Sequence, residues 1–226
     1  MEITYYGHSS FEVSVASKKL LFDPFITPNE LAKDVNIQSI VPDYILLSHG
    51  HADHVADVER IYANGAAKII SNFEVVTWFQ TKGLDNVHPM NHGGSWRFDF
   101  GRVKMVSAVH SSSMPDGSYG GNAIGFVIEA DGITFYYAGD TALTLDMQLI
   151  KEEFDIDFAF LPIGDNFTMD IHDAFKAAKF VGTNKVVAMH FDTFPYIEID
   201  KEAVKKLASQ NDVELILPEI GNTFKI

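Results

Sequence analysis

The sequence predicts a mixed α and β fold in which two β-sheets are sandwiched between helices. Short apolar runs bounded by turn residues recur in both halves of the chain, and segments of helical period are interspersed among them. Neither half holds enough helices to cover both faces of its own sheet, a deficit that two sheets packed face to face would remove. In chain order, residues 3–6, 11–15 and 20–22 read as strands, the last ending in Asp23-Pro24. Residues 44–47 read as a buried strand, and in residues 53–63 Val55, Val58, Ile61 and Tyr62 recur at helical spacing. Residues 68–71 predict a strand and 73–82 a helix. His88 and His92 flank Pro89 in an expected exposed turn, and residues 96–100 with 103–109 form a hairpin turning at 99–102. Strands follow at 124–129, 133–137, 158–161, 185–189 and 213–217, and helices at 145–154, 170–181 and 200–209. Residues 20–23 and 135–140 are similar strand-then-aspartate units, a hint of internal duplication.

At 226 residues, with 46% hydrophobic and 21% charged side chains, the chain is expected to be one globular domain over residues 1–226. The absence of cysteine excludes disulfides, thiolate nucleophiles and cysteine-ligated metals, so any metal must sit on nitrogen and oxygen. A net charge of −14 repels phosphate backbones and disfavours nucleic acid as a partner. No basic and apolar leader opens the chain and no apolar run is long enough to span a bilayer, so a cytoplasmic protein without membrane association is expected; a homo-oligomer stays open. The eighteen phenylalanines are read as a bulky core between packed layers.

The chemistry concentrates in His49-Gly50-His51-Ala52-Asp53-His54. Three histidines and an aspartate fall within six positions of a chain that holds nine histidines. Extended from the preceding strand, His49 and His51 at i and i+2 leave on one side and can share an ion, whereas Asp53 and His54, in the first turn of the next helix, project toward a neighbouring position. That spacing suits two metals better than one, and Gly50 is expected to keep bulk away from the ions. Three further strands are expected to deliver a ligand type at their ends: 106–109 into His110, 135–138 into Gly139-Asp140, and 186–189 into His190. The loop 111–123, directly after His110, carries four serines and Gly117, Gly120 and Gly121 and is expected to shape substrate access, with Gly120 and Gly121 at the substrate.

With His110, Gly139-Asp140-Thr141 and His190, this segment resembles the metallo-β-lactamase superfamily over nearly the whole chain. The resemblance implies an α+β fold, a four-layer αβ/βα sandwich. It also implies that His49, His51 and His110 hold one metal, that Asp53, His54 and His190 hold a second, and that Asp140 bridges them. The flanking motifs Gly7-His8-Ser9-Ser10-Phe11, Leu21-Phe22-Asp23-Pro24-Phe25 and residues 162–169 are similar to a branch of small metal-dependent hydrolases related to ascorbate-phosphate lactonases. The chain departs from that branch at Asp170-Ile171-His172, where Gly-Pro is common, and at Leu217-Pro218-Glu219-Ile220-Gly221, where Pro-Gly-Glu is usual.

The function expected is therefore an enzyme, a metal-dependent hydrolase in which a hydroxide activated by two divalent ions attacks a small ester, lactone or phosphodiester. Zinc is favoured by the imidazole and carboxylate donors, with manganese and iron open. Asp53 would orient the attacking water as well as bind metal. His8 is either a rim residue that donates a proton or contacts substrate, or a buried histidine bonded to a backbone carbonyl. Asp23 is expected to support a metal-bound histidine from behind, and Asn166 either contacts substrate or caps a turn. The serines at 9–10 and 111–113 are expected in turns and loops rather than as nucleophiles. His172 is expected in solvent. The alternatives carried beside this reading are a di-iron redox protein on the same fold and a nuclease or phosphodiesterase acting on nucleic acid.

Overall fold

A computed structural model describes all 226 residues. The first half contains β1 (Glu2–Gly7), β2 (Ser10–Val15), β3 (Lys18–Phe22), β4 (Tyr44–Leu46), α1 (Ala52–Val55), α2 (Val58–Gly65), β5 (Lys68–Asn72), α3 (Phe73–Thr81) and β6 (Val87–Met90). The second contains β7 (Ser95–Phe98), β8 (Gly101–Ser107), β9 (Ile124–Ala130), β10 (Ile133–Tyr137), α4 (Met147–Glu153), β11 (Phe158–Pro162), α5 (Ile171–Val181), β12 (Lys185–Met189), α6 (Lys201–Gln210), β13 (Glu214–Ile216) and β14 (Thr223–Lys225).

These strands form two seven-stranded sheets, in the orders β14-β1-β2-β3-β4-β5-β6 and β7-β8-β9-β10-β11-β12-β13. In each, the first three pairings are antiparallel and the last three parallel. The two sheets are thus topological copies, and β3 and β10 occupy the same place in them. They are the strands of the two strand-then-aspartate units.

Alternation along the strands builds the layers. Leu20, Phe22, Tyr44, Leu46 and Ile70 face the second sheet, while Leu21, Ile45, Leu47 and Ile69 join a separate core with Val58, Ile61, Val75 and Phe79 of the helices outside the first sheet. The inter-sheet layer is aromatic: Phe22 stacks on Tyr137 with centroids 4.5 Å apart, and Phe11 meets Phe160 at 4.7 Å. Beyond the second sheet, α4, α5 and α6 bury Ile150, Phe175 and Val204. The result is an α+β four-layer sandwich.

Two local features differ from the sequence expectation, and the two departures from the related branch take structural roles. The helix expected over 53–63 is two, because Asp57 leaves helical geometry and its buried carboxylate accepts 2.7 Å hydrogen bonds from Ile26 and Thr27 N–H. His88 and Pro89 lie in a strand rather than a turn; β6 pairs on one side only, where proline is tolerated, and His88 is half-buried against Trp96 and Phe98. The departure at Asp170 is an N-cap, its carboxylate accepting from Asp173 N–H at 2.7 Å, and the tail closes through β14 on β1.

Candidate metal centre

Both sheets end their parallel strands at one edge of the sandwich, and the candidate donors gather there. His49 to His54 follow β4 of the first sheet; His110, Asp140 and His190 follow β8, β10 and β12 of the second. His110 and Asp140 each lie three residues past their strands, and the two segments are tied by Val109 N–H donating to Thr141 Oγ1 at 2.9 Å. His190 comes directly after β12 with φ 56°, and its N–H donates to the carbonyl of His8, itself at φ 57°. With Asp23 at φ 41°, three non-glycine residues at this edge sit in the left-handed region, held there by surrounding structure.

A buried carboxylate sets the histidine tautomers. Asp23 is fully buried and accepts from Ser48 N–H, Ser48 O–H, Tyr137 O–H and His54 Nδ1–H at 2.6–2.9 Å. Since Ser48 Oγ spends its proton on Asp23, it accepts from His49 Nδ1–H at 2.9 Å, which leaves a lone pair on His49 Nε2. His54 likewise turns Nε2 to the interior of the site. Asp23 thus reaches two histidines, one directly and one through Ser48.

Besides the Asp23, His49 and His54 set just described, the donor atoms form two groups. His49, His51 and His110 converge within one metal-sized cluster, with His49 Nε2 and His51 Nδ1 3.0 Å apart; Asp53, His54, His190 and His8 form a second. Asp140 stands between them, its Oδ2 at 3.0 Å from His190 Nε2, 3.3 Å from His54 Nε2 and 3.6 Å from His110 Nε2. His54 Nε2 and Asp140 Oδ1 are buried with no hydrogen-bonding partner in the protein. Orphaned buried polar atoms of this kind, in a cluster of imidazoles and carboxylates, fit cations as their missing partners.

The electrostatics follow from the crowding. Burial and then the neighbouring His54 push the pKa of His49 well below the ordinary histidine value. Burial works against protonation of His54 too, but Asp140, Asp23 and Asp53 outweigh it and hold its pKa well above that value. Burial would raise Asp140, yet His190 and His54 drive it well below the usual carboxylate range.

A cleft of about 570 Å³ opens over this edge. Its floor includes His51, Asp53, His110, Asp140 and His190, and its far wall is Phe167, Phe194, Pro195 and Tyr196. The sequence places phenylalanine in the core and does not single out these four wall residues; the local signals are their placement just past strands that lead to the site and, for Phe167, the motif at 162–169.

Several expected site residues do not line the cleft. His8 is not at the rim: its side chain is buried, with Nε2 3.1 Å from Asp53 Oδ2 and Nδ1 2.9 Å from Thr193 Oγ1, so it touches a candidate ligand rather than the cleft. Asn166 is exposed in a left-handed turn and does not line the cleft, whereas its neighbour Phe167 does. Gly120 and Gly121 also stay outside the lining. A Cβ on Gly121 would lie 2.7 Å from Asn72 Nδ2, and Asn72 donates to the Gly120 carbonyl at 2.8 Å, so these glycines anchor the loop to the first sheet. Gly50 packs closely on that loop too, because a Cβ there would lie 3.1 Å from the Ser113 carbonyl oxygen and displace the Met114 thioether. His92 Nε2 lies 3.0 Å from the Ala123 carbonyl, and His172 is exposed on α5.

The model of the β-lactamase superfamily domain matches residues 2–190, a span that includes every candidate donor. The chain belongs to this superfamily. It is 52% identical, over the full length of both chains, to a UPF0173 metal-dependent hydrolase of Flavobacterium johnsoniae, and is a metal-dependent hydrolase of the same group. Among solved structures it is similar to Igni18, a metallo hydrolase from Ignicoccus hospitalis, with a TM-score of 0.88 and 33% identity over 100% of this chain and 98% of that one. An isothiocyanate hydrolase from Delia radicum gut bacteria shares the fold at 18% identity and a TM-score of 0.79, covering 100% of this chain and 99% of the other.

Proposed function

We propose that this hydrolase is binuclear and acts on a small ester, lactone or phosphodiester. The observation that carries the reading is the position of Asp140, one carboxylate oxygen of which lies within 3.6 Å of histidines from both donor groups, as a bridging ligand requires. His49, His51 and His110 would hold one ion and Asp53, His54 and His190 the other. Zinc suits these donors best, and manganese or iron is served by the same atoms. When bound, such ions make a water acidic enough to ionise near neutral pH and offer positive charge to a developing oxyanion or leaving oxygen.

The protein's own residues prepare that chemistry. Asp23 and Ser48 fix the rings of His49 and His54 so that Nε2 of each faces inward, ready to ligate once any proton on it is displaced. His8 donates from Nε2 to Asp53 Oδ2 and sets the plane of that carboxylate, while its Nδ1 accepts from the Thr193 hydroxyl. The wall at Phe167 and Phe194 shields the reacting centre from bulk water on one side.

Metal analysis after reconstitution tests the reading. Two ions per chain are expected at saturation, and a plateau at one ion under excess metal sinks the binuclear assignment. His51→Ala and His190→Ala should each lose metal and lower hydrolysis by orders of magnitude, whereas His172→Ala should change neither. Colour and iron retained through purification would instead favour di-iron redox chemistry.

A further inference from the structure

We propose that the cleft selects neutral substrates with an aryl or similarly flat apolar group beside the scissile carbonyl: an arylated ester or lactone rather than a phosphorylated or carboxylated one. This rests on the hydrolase reading above and narrows its substrate class.

Two observations carry the proposal. The first is the wall facing the metal donors. Phe167 and Tyr196 are 51% and 74% exposed, with ring centroids 6.2 Å apart in an edge-to-face arrangement. Both rings are carried by short fixed turns. The turn at Phe167 is closed by Asp165 N–H donating to the Met169 carbonyl at 3.0 Å, and Met169 is buried. Tyr196 lies in a 3₁₀ turn between Pro195 and the fully buried Ile197. Large aromatic surfaces left in water beside a reactive centre, on backbone turns that are already closed, are a binding feature, since a flat guest covers them without reordering the chain.

The second observation is the charge of the lining. No lysine or arginine lines the cleft, and Lys201, on the helix beyond the wall, is paired with Asp192 at 2.8 Å. A phosphate or carboxylate remote from the metals would find no cation to pair with, inside a protein of net charge −14. A neutral ester avoids that cost. In the reaction the acyl C–O bond breaks and the oxygen of water joins the acyl carbon; one water proton goes to the departing alkoxide oxygen, giving a free alcohol from an ester or a tethered hydroxyl from a lactone, and the other is released as the acid ionises.

The test compares two hydroxamic acids, which chelate metals through the same group, on the zinc-loaded protein by calorimetry. Benzohydroxamate should bind at least about tenfold tighter than acetohydroxamate. The Phe167→Ala/Tyr196→Ala double variant should lose most of that preference while keeping its affinity for acetohydroxamate, and Trp96→Ala, exposed on β7 outside the cleft, should keep the preference. 4-Carboxybenzohydroxamate should bind more weakly than benzohydroxamate. Equal affinity of the two acids for wild type overturns the proposal and leaves the metal centre intact, as does a preference that survives in the double variant. A wild-type dimer that the double variant converts to monomer, measured by light scattering, also overturns it by assigning the rings to a subunit interface. If neither hydroxamate binds the zinc-loaded protein, the accessible metal centre itself is disproved.

Discussion

His8 reaches two residues remote in the chain, Asp53 through Nε2 at 3.1 Å and Thr193 through Nδ1 at 2.9 Å. Its pKa is lowered to about 4, first by burial and then by His190, against the pull of Asp53. It therefore acts at neutral pH as an uncharged donor to an ionised carboxylate, a positioning residue behind a candidate ligand. Removing such a partner costs about 10–100-fold in metal affinity. His8→Ala should show that loss in competition with a chelator; Thr193→Val should show part of it and Thr193→Ser little, because serine keeps the hydroxyl that fixes the His8 tautomer. Unchanged affinity in His8→Ala would remove this role. The candidate donors were legible in the sequence because four of them are crowded into six positions and the others end apolar runs. The partners of His8 were not, since pairings across 45 and 185 residues exist only once the sheets are docked. Phe167 and Tyr196 escaped for a different reason: composition counts aromatics without locating them.

Among the elements, strands with alternating apolar residues were readable, and short or edge elements were not. β14 has three residues, and β6 carries a proline that reads as a turn until its single-sided pairing is seen. The break between α1 and α2 was hidden because Asp57 resembles any polar helix residue, while its carboxylate holds the chain just after Asp23. Asp57→Ala would leave the Ile26 and Thr27 N–H groups without their acceptor, a loss of about 2 kcal/mol or more. Thermal unfolding should then occur about 4–8 °C lower. A melting temperature within a degree of wild type would show that water or a shifted helix replaces the clamp.

Across the whole molecule the acidic cluster predicts how metal and protons compete. In the metal-free protein His54 keeps its second proton at neutral pH, since its pKa is held well above the usual value, while His49, His51 and His110 are all lowered, chiefly by burial, and stay uncharged. A metal ion must displace the His54 proton, so affinity falls as pH falls, and competition begins above the ordinary histidine range. Calorimetry in buffers of different ionisation heat should report net proton release on metal binding at pH 7; proton uptake would contradict this. The division of the donors between the two sheets has a wider consequence. Four follow β4 on one side of the seam and three come from the other, with Tyr137 donating across it to Asp23. Ligation and sheet docking are then reciprocal: whatever loosens one weakens the other. Phe135→Leu, which alters the aromatic layer beneath Phe22 and no donor atom, should surrender its metal at a lower chelator concentration than wild type. Metal retention would then gauge how firmly the two halves are joined, with the ions as rivets through a lap joint of phenylalanine.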